Sequence, residues 1–283
     1  MLTRLINDDV TAALRQLISE GAMFDVIVTS PPYNLGKNYG TGVDDKKKPA
    51  RYLDWADSWL RALRAVLRPG GSLFLNMGDS PSRPWGALEV LGVARGSWVL
   101  QNKICWVKSL AIPEANKGER TVGHFKPINS DRYLNDTFEF IFHLTHDGNV
   151  PLDRKAPGVG TQYTDVSNLT RWAGTAGKNM RCRGNVWFMS YETIQSSAKQ
   201  RPHPAIFPVE LAARCIALHG VTRAADILDP FCGIGSTGVA ALRLGCRSFT
   251  GIDYVEDFIV EAADRMGREE EELALLESAR SCE

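Results

Sequence analysis

Ala225-Asp-Ile-Leu-Asp-Pro-Phe-Cys-Gly-Ile-Gly-Ser-Thr-Gly238 is the stretch of this chain that says most about its fold. The apolar pair Ile227 and Leu228 predicts a buried strand that ends at Asp229. A glycine-containing loop follows, and then a helix predicted from Ser236 to Leu244. Glycine lets the backbone approach a ligand closely, and the first turn of a helix offers free amide donors. A strand, loop and helix in this order predict a crevice for a nucleotide-like ligand in a doubly wound α/β fold.

A second strand-ending stretch lies near the start of the chain. The apolar run Phe24-Asp-Val-Ile-Val28 predicts a buried parallel strand, and the turn Thr29-Ser-Pro-Pro-Tyr-Asn34 follows it. Two prolines remove backbone donors and fix φ, so the carbonyls of Ser30 and Pro31 are held at a set angle. Ser30 adds a hydroxyl acceptor, and Tyr33 adds an aromatic face. These groups suit an aromatic ring that carries an amino group, and the alternative is an ordinary strand-ending turn.

Both stretches resemble motifs of one enzyme family. Ser30-Pro31-Pro32-Tyr33 after an apolar strand resembles the catalytic motif of DNA methyltransferases that modify exocyclic amino groups. Asp229-Pro-Phe-Cys-Gly-Ile-Gly235 resembles the S-adenosyl-L-methionine loop of the same enzymes, Asp-Pro-Phe-x-Gly-x-Gly. The catalytic turn comes first and the cofactor loop comes late, which is the order of the β-class, a circular permutation of the methyltransferase sheet. The resemblance covers about residues 2–145 and 184–266.

The glycine spacing of the late loop also fits a dinucleotide-binding enzyme, and the acidic residues distinguish the two interpretations. A carboxylate such as Asp229 would repel a pyrophosphate, but not the ammonium and sulfonium of S-adenosylmethionine. A dinucleotide oxidoreductase would also need its loop in the N-terminal half of its fold. Asp253, which ends the next predicted strand, can accept both ribose hydroxyls. The alternative role for Asp253 is a helix N-cap.

Further cofactor residues follow from the resemblance alone. His203-Pro-Ala-Ile-Phe-Pro208 resembles the segment that packs against the methionine end of the cofactor, and Phe207 could otherwise be a hydrophobic staple. Phe207 and Phe231 offer aromatic faces to the sulfonium. Asp8 matches the acid that meets the adenine amino group, while a helix N-cap at Asp9 is the competing interpretation. The cofactor residues that the resemblance implies are Asp8, Asp229, Pro230, Phe231, Gly233, Gly235, Ser236, Thr237, Asp253, Tyr254, His203 and Phe207.

The fold class expected from these motifs is α/β, with a doubly wound, mostly parallel, seven-stranded methyltransferase sheet that is circularly permuted. The N-terminal strand should then lie beside the strand from Ser248 to Asp253. The expected division of the domain is a catalytic half (1–145), a small inserted target-recognition region (146–200) and a cofactor-binding half (201–283). Residues 109–132, between two predicted closing strands, are expected to form a long polar loop.

The charge of the chain is balanced overall but uneven along its length. The 283 residues carry a formal net charge of zero, which argues against a general nucleic-acid binder. Residues 171–201 hold six basic residues and one acidic residue, a net charge of +5, and this segment suits the phosphates of double-stranded DNA. Residues 264–283 carry a net charge of −4 and suit a solvated helix end. The DNA-binding candidates are Arg171, Lys178, Arg181 and Arg183.

Composition also limits the setting of the protein. Six cysteines form no Cys-x-x-Cys pair and do not cluster with histidine, so we expect no metal site and reduced thiols in a cytoplasmic protein. The chain has no apolar stretch of membrane-spanning length, and its N-terminus lacks the apolar region of a signal peptide. Beyond DNA, a second copy of the chain and a cognate restriction endonuclease are possible partners.

The expected reaction is methylation of the exocyclic amino group of a base that has left the duplex. Family members with serine at the position of Ser30 more often methylate cytosine at N4, and those with aspartate more often methylate adenine at N6, so cytosine is preferred. RNA and protein amino-group methyltransferases usually have asparagine there. A catalytically silent DNA-binding module is the non-enzymatic alternative. No pattern in the sequence specifies the DNA site.

Overall fold

The computed structural model describes residues 1–37, 39, 45–114, 118–123, 130–160, 180–190, 206–220 and 223–280. In this part of the chain the strands are β1 (Leu2–Asn7), β2 (Phe24–Thr29), β3 (Leu67–Met77), β4 (Val99–Val107), β5 (Ser109–Glu114), β6 (Gly118–Gly123), β7 (Phe138–Thr145), β8 (Val159–Gly160), β9 (Met180–Arg181), β10 (Val186–Phe188), β11 (Asp226–Asp229) and β12 (Ser248–Asp253). The helices described are α1 (Val10–Ser19), α2 (Pro49–Val66), α3 (Gly86–Ala94), α4 (Val209–His219), α5 (Ser236–Arg243) and α6 (Glu256–Arg280).

Eight of the described strands form one sheet in the order β1-β12-β11-β2-β3-β7-β4-β10. Every neighbouring pair is parallel except those of β7, which lies antiparallel between β3 and β4. The mostly parallel α/β architecture that the sequence predicts is therefore confirmed. Seven of the strands are those expected, and the short edge strand β10 is an addition that pairs with β4.

The two ends of the chain close the sheet together. β1 pairs in parallel with β12, from Leu2 opposite Ser248 to Asn7 opposite Asp253. The Asn7 side-chain amide also donates to the carbonyls of Asp253 (3.1 Å) and Tyr254 (3.0 Å). This pairing is the one predicted from the permuted motif order. It completes the cofactor side of the sheet without a covalent connection.

Helices cover both faces of the sheet, and alternate residues of each central strand point to opposite faces. In β2, Ile27 packs in the core beneath α1, α2 and α3, whereas Val26 and Val28 pack in the core beneath α4 and α5. Burying each such side chain contributes about 1.5–3 kcal/mol. Continuous apolar runs are therefore the expected pattern for these strands, which are buried on both faces. None of the described helices is both long enough and apolar enough to cross a bilayer.

Two local expectations were wrong. Residues 109–132 do not form only a polar loop, because β5 and β6 pair as an antiparallel hairpin. The residues of β6 are almost all exposed, so no buried alternation marks this strand in the sequence. The mostly apolar run that would form β3 in the sequence covers Ser72 to Met77, but the strand begins at Leu67, because an irregular pairing with β2 lets Leu67 lie opposite Phe24. Gly70, at φ +80°, adopts the left-handed backbone conformation within this irregular segment.

Candidate active site

The two motif-bearing stretches meet at one edge of the sheet. β11 and β2 are parallel neighbours, so their last residues, Asp229 and Thr29, lie side by side. The Thr29 hydroxyl donates to Asp229 Oδ1 at 2.7 Å, across 200 residues of sequence. The Thr237 hydroxyl, in the first turn of α5, donates to Asp229 Oδ2 at 2.6 Å. The strand that leads into the Ser-Pro-Pro-Tyr turn is therefore bonded directly to the glycine loop.

Asp229 is the buried centre of this connection. Its carboxylate is fully buried and also accepts the backbone N–H of Phe231 at 3.2 Å. Burial raises the pKa of Asp229 to about 6, although the hydrogen bonds from Thr237 and Thr29 oppose the shift. Because protein donors occupy both oxygens, the side chain fastens the loop. Its negative charge therefore acts on the crevice through space rather than through a hydrogen bond.

The glycine loop leaves room and hydrogen-bonding groups at the start of α5. Gly235 has φ +79°, and a Cβ added there would lie 3.0 Å from the Cβ of Ala262 on α6. A side chain at this position would therefore meet both a strained backbone and a close neighbour. The hydroxyl of Ser236 is buried and has no hydrogen-bond partner among the described residues. A buried polar atom without a partner at a helix N-terminus is suited to a bound ligand.

Asp253 ends β12 beside this loop. One carboxylate oxygen accepts the Gly233 N–H at 2.9 Å, and the other accepts the Val255 N–H at 3.0 Å. Burial raises the pKa of Asp253. Each oxygen can accept a second hydrogen bond, which leaves capacity for a diol. Since α6 begins only at Glu256, Asp253 is not its N-cap, and the helix-cap interpretation does not apply.

Asp8 and Tyr254 lie at the same end of the sheet. The Asp8 N–H donates to the carbonyl of Asp253 at 3.1 Å, and the Asp8 side chain is exposed. The neighbouring Asp9 is the N-cap of α1, because its carboxylate accepts the N–H groups of Thr11 and Ala12. The cap role thus belongs to Asp9. One Asp8 carboxylate oxygen accepts the Asp9 N–H at 2.7 Å, and the other oxygen can accept from another partner. Tyr254 is half-exposed.

The Ser-Pro-Pro-Tyr turn is part of a polar network. The hydroxyls of Ser30 and Tyr33 are 2.7 Å apart, and the Tyr33 hydroxyl donates to Glu139 Oε2 at 3.0 Å. The Asn76 side-chain amide donates to the Tyr33 oxygen (2.8 Å) and to Glu139 Oε2 (2.6 Å), and Lys108 forms an ion pair with Glu139. Burial, with the charge of Glu139, holds the pKa of Tyr33 well above its ordinary value.

Sequence reasoning did not find Asn76, Lys108 or Glu139. Asn76 and Glu139 each stand inside an apolar strand, β3 and β7 respectively, near the sheet edge that carries the motif, and Lys108 directly follows β4. A lone polar residue near the end of a buried strand was the available signal. It was too weak to use without knowledge that β7 lies between β3 and β4.

The prolines fix two carbonyls in different ways. The Pro32 carbonyl accepts the hydroxyl of Tyr52, on α2, at 2.9 Å. Pro31 is buried, and its carbonyl accepts no hydrogen bond from any residue that the structure describes. The Pro31 carbonyl therefore remains for a ligand. The Ser30 oxygen, 2.7 Å from the Tyr33 hydroxyl and 3.4 Å from the Asn76 side-chain nitrogen, can accept from a ligand as well.

The segment after the turn folds back over it. The carboxylate of Asp45 accepts the backbone N–H groups of Asn34 (2.8 Å), Leu35 (3.1 Å) and Lys37 (2.7 Å). Burial raises the pKa of Tyr39, and the charges of Asp45, Glu139 and Asp253 add to the shift. Tyr39 is thus within electrostatic range of both the cofactor-side acid and the network around Ser30.

Two phenylalanines considered for a sulfonium pack against hydrophobic neighbours. The Phe231 ring lies edge-on to Trp55 and Trp59 of α2, with ring centroids 5.6 and 5.4 Å apart. Phe207 packs against the core beneath α4 and α5, as the hydrophobic-staple interpretation expects. A cation–π role for either ring remains a prediction.

The DNA-binding candidates are only partly described. Arg171, Lys178 and the cofactor candidate His203 lie outside the described residues. Arg181 is exposed on β9. The Arg183 guanidinium donates to the carbonyl of Pro157 at 2.9 Å, and burial lowers the pKa of Arg183. Arg183 therefore ties together the two backbone segments that β8 and β9 pair.

A protein-family model, the N6/N4 methyltransferase model described as DNA methylase, matches residues 24–264. The chain belongs to this family. The recognition of an amino-group DNA methyltransferase from Ser30-Pro31-Pro32-Tyr33 and from the loop at Asp229 is confirmed, and so is the expected class of enzyme. The two motifs of this methylase, Ser30-Pro31-Pro32-Tyr33 and the loop at Asp229, follow β2 and β11, which are paired in the sheet.

Curated relatives cover most of the methylase. The type II methyltransferase M.HpaI of Haemophilus parainfluenzae is 31% identical over 270 residues, which are 94% of this chain and 74% of that protein. The DNA adenine methyltransferase YhdJ of Escherichia coli K12 is 25% identical, over 90% of this chain and 79% of that protein.

Solved structures share the fold. The cytosine-N4-specific PvuII DNA methyltransferase superposes with a TM-score of 0.63 at 16% identity, over 93% of this chain and 86% of that chain. The complex of M1.HpyAVI with S-adenosylmethionine gives a TM-score of 0.57 at 16% identity, over 94% of this chain and all of that chain. At these identities the likeness concerns the fold alone.

Proposed function

We propose that this methylase is a site-specific DNA methyltransferase that moves a methyl group from S-adenosyl-L-methionine to the exocyclic amino group of a flipped-out base, with cytosine N4 as the preferred target. The observation that supports this most is the hydrogen bond between Thr29 and Asp229. It holds the turn at Ser30 beside the loop at Gly233, so an amino acceptor and a methyl donor would meet at one edge of the sheet.

The residues of the crevice fit S-adenosylmethionine, which supplies a methyl group activated by a sulfonium. Asp253 has carboxylate capacity for the ribose hydroxyls. The hydroxyl of Ser236, in the first turn of α5, is buried and has no partner among the described residues, so it is available to a ligand at the helix N-terminus. Asp8 lies next to Asp253 with an exposed carboxylate, where an adenine amino group would be accepted. The negative charge of Asp229 favours a cationic ligand over a pyrophosphate.

On the target side, the free acceptors of the turn would orient the amino group. The Ser30 hydroxyl and the Pro31 carbonyl would each accept one amino hydrogen, which directs the nitrogen lone pair away from the ring plane. Tyr33 would pack on the base. A base inside the duplex cannot reach this turn, so it must leave the stack. Positioning and orientation of this kind can supply several kcal/mol of the barrier reduction.

The choice of base is the finer part of the proposal. Ser30, in the place where aspartate usually accompanies adenine methylation, supports cytosine N4, and the PvuII enzyme of similar fold is cytosine-N4-specific. Adenine N6 is the alternative, since the relative YhdJ is a DNA adenine methyltransferase. Both reactions need the same pair of acceptors, so the described geometry fits either base.

The DNA interface is proposed for residues 146–200, between the catalytic half (1–145) and the cofactor-binding half (201–283). The net charge of +5 over residues 171–201 supports contact with phosphates. Arg181 is the described candidate with an exposed side chain. A homodimer and a cognate restriction endonuclease remain predictions.

The test is methylation of a mixed-sequence double-stranded DNA library with S-adenosylmethionine, followed by nucleoside mass spectrometry and modification-aware sequencing. We expect N4-methylcytosine at one short sequence. Detection of N6-methyladenine instead would show that adenine is the target base. Methyl transfer to no DNA, by protein that still binds S-adenosylmethionine in a titration, would favour a catalytically silent DNA-binding module.

A further inference from the structure

Behind the motif turn, three strands place a charged pair against Tyr33. Glu139 comes from β7, Lys108 follows β4, and Asn76 comes from β3. The side chains of Lys108 and Glu139 are 21% and 13% exposed, so their ion pair is largely shielded from solvent. Glu139 and Asn76 contact the Tyr33 hydroxyl, and Lys108 pairs with Glu139.

This arrangement fixes the direction of the hydrogen bonds. A carboxylate paired with an ammonium accepts hydrogen bonds and donates none, and the NH2 group of the Asn76 side chain only donates. The single phenolic hydrogen of Tyr33 therefore goes to Glu139 (3.0 Å) or, at a longer distance, to the Asn76 backbone carbonyl (3.3 Å), and both groups only accept. The Tyr33 oxygen accepts from the Asn76 side chain (2.8 Å). In the remaining contact, at 2.7 Å, Ser30 must be the donor to Tyr33. The Asn76 side-chain nitrogen also lies 3.4 Å from the Ser30 oxygen, farther than from Glu139 (2.6 Å) and Tyr33 (2.8 Å), so Ser30 keeps acceptor capacity for another group.

We infer that Glu139 is a positioning residue for methyl transfer. Its carboxylate accepts the Tyr33 hydrogen, and the Tyr33 oxygen accepts the Ser30 hydrogen. The Ser30 oxygen then presents its acceptor lone pairs to the amino group of the target base. Lys108 and Asn76 hold the carboxylate in place. The inference rests on the proposed function, because the role of Ser30 toward an amino group belongs to that proposal.

The packing under the network leaves little freedom for another arrangement. A Cβ built on Gly78 would lie 2.9 Å from the Tyr33 ring and 3.0 Å from Cγ of Glu139. Tyr33 and Glu139 therefore both rest directly on the backbone of Gly78. The high pKa of Tyr33 keeps the phenol protonated and able to donate. The close packing on Gly78 is independent of the hydrogen-bond distances.

The decisive experiment is a double-mutant cycle on the full chain. Single-turnover methyl transfer from S-adenosylmethionine to the mixed-sequence DNA library is measured for the parent, Glu139→Gln, Tyr33→Phe and the double variant. Glutamine keeps the shape of the side chain, but its amide can donate as well as accept. We expect each single variant to lose about 10- to 100-fold in rate, because a misdirected acceptor spoils the reacting geometry. The double variant should lose little more than the worse single variant, since the two residues act through one chain of bonds.

Two further measurements separate positioning from a merely structural role. The dissociation constant for S-adenosylmethionine, measured by calorimetry, should stay within about twofold of the parent, because Glu139 lies on the target side. The matched control is Asp136→Asn, which removes a neighbouring carboxylate that makes no hydrogen bond to Tyr33 or Asn76 among the described residues. Its rate should also stay within about twofold.

Losses that multiply in the double variant would overturn the inference, as would a parent-like rate for Glu139→Gln. A fall in cofactor affinity equal to the fall in rate would do the same. If Glu139→Gln unfolds because Lys108 is left unpaired, Lys108→Gln combined with Glu139→Gln restores neutrality, and the same rate loss is expected from that pair. A parent that methylates no DNA would refute the proposed function instead, so the two failures are distinct.

Discussion

Thr29→Val tests the connection between the two halves of the site. The exchange is nearly isosteric and removes one hydroxyl donor from the buried carboxylate of Asp229. A hydrogen bond to a charged group contributes about 1.5–3 kcal/mol, and one to a neutral group about 0.5–1.5 kcal/mol. Asp229 has a pKa of about 6 in the folded protein, so it is ionised at pH 8 and mostly protonated at pH 5. The loss of stability should therefore be about 2 kcal/mol at pH 8 and about 1 kcal/mol at pH 5.

The sign follows from linkage. The pKa of Asp229 is raised above its ordinary value, so its contribution to stability is fully present below that ordinary value and is lost as the pH rises through about 6. Removal of the Thr29 donor raises the folded-state pKa of Asp229 further. The variant must then be penalised more at high pH than at low pH, by about 1.4 kcal/mol for each added pKa unit.

Urea unfolding of the parent and of Thr29→Val at pH 5 and pH 8 measures this difference directly. The matched control is Thr250→Val, in buried β12, where the hydroxyl makes no side-chain hydrogen bond among the described residues. We expect that control to change stability by less than about 0.5 kcal/mol at either pH. A penalty for Thr29→Val that is the same at both pH values, or no larger than the control, would refute the assignment of Asp229 as the charged fastening of the loop.

Three further outcomes are expected. Ser30→Ala should lower single-turnover methyl transfer about 100-fold, with S-adenosylmethionine affinity within about twofold, and an equal loss of both would make the turn structural. Gly235→Ala should weaken cofactor binding in calorimetry and lower stability by about 1–3 kcal/mol, because φ is +79° there, and parent-like affinity would contradict this. Burial lowers the pKa of His143 to about 4. The parent should therefore lose up to about 3 kcal/mol of unfolding free energy relative to His143→Gln between pH 7 and pH 4, measured by urea unfolding. A difference between the two proteins that does not change with pH would argue against a buried neutral imidazole.

Much of the sheet could be predicted because its central strands are buried on both faces. The centre of β2, Val26 to Val28, is apolar, and the motif turn follows it. The pairing of β1 with β12 could be predicted as well, since the motif order implied a permuted sheet. The β5–β6 hairpin could not, because an exposed hairpin buries too little apolar surface to leave a pattern.

The residues of the candidate site also fall into those that could be predicted from the sequence and those that could not. Ser30 and Asp229 were found because each stands in a contiguous motif whose residues carry the chemistry together. Asn76 and Glu139 were not found, because each stands between apolar neighbours and belongs to no contiguous motif. Their meeting depends on β7 entering between β3 and β4 in the antiparallel direction. No local pattern encodes that neighbour relation, so only the assembled sheet reveals the network.

The buried carboxylate of Asp229 explains how a permuted chain keeps two distant motifs in register. An ionised group in this position costs about 3 kcal/mol at neutral pH, judged from its raised pKa, and an apolar residue would avoid that cost. Only a carboxylate, however, accepts at once from Thr29 on the target side, from Thr237 on the cofactor side and from the loop backbone at Phe231. A polar group satisfied from several directions specifies one geometry where apolar packing tolerates many. Stability given up at Asp229 therefore fixes how the Ser30 turn lies beside the glycine loop.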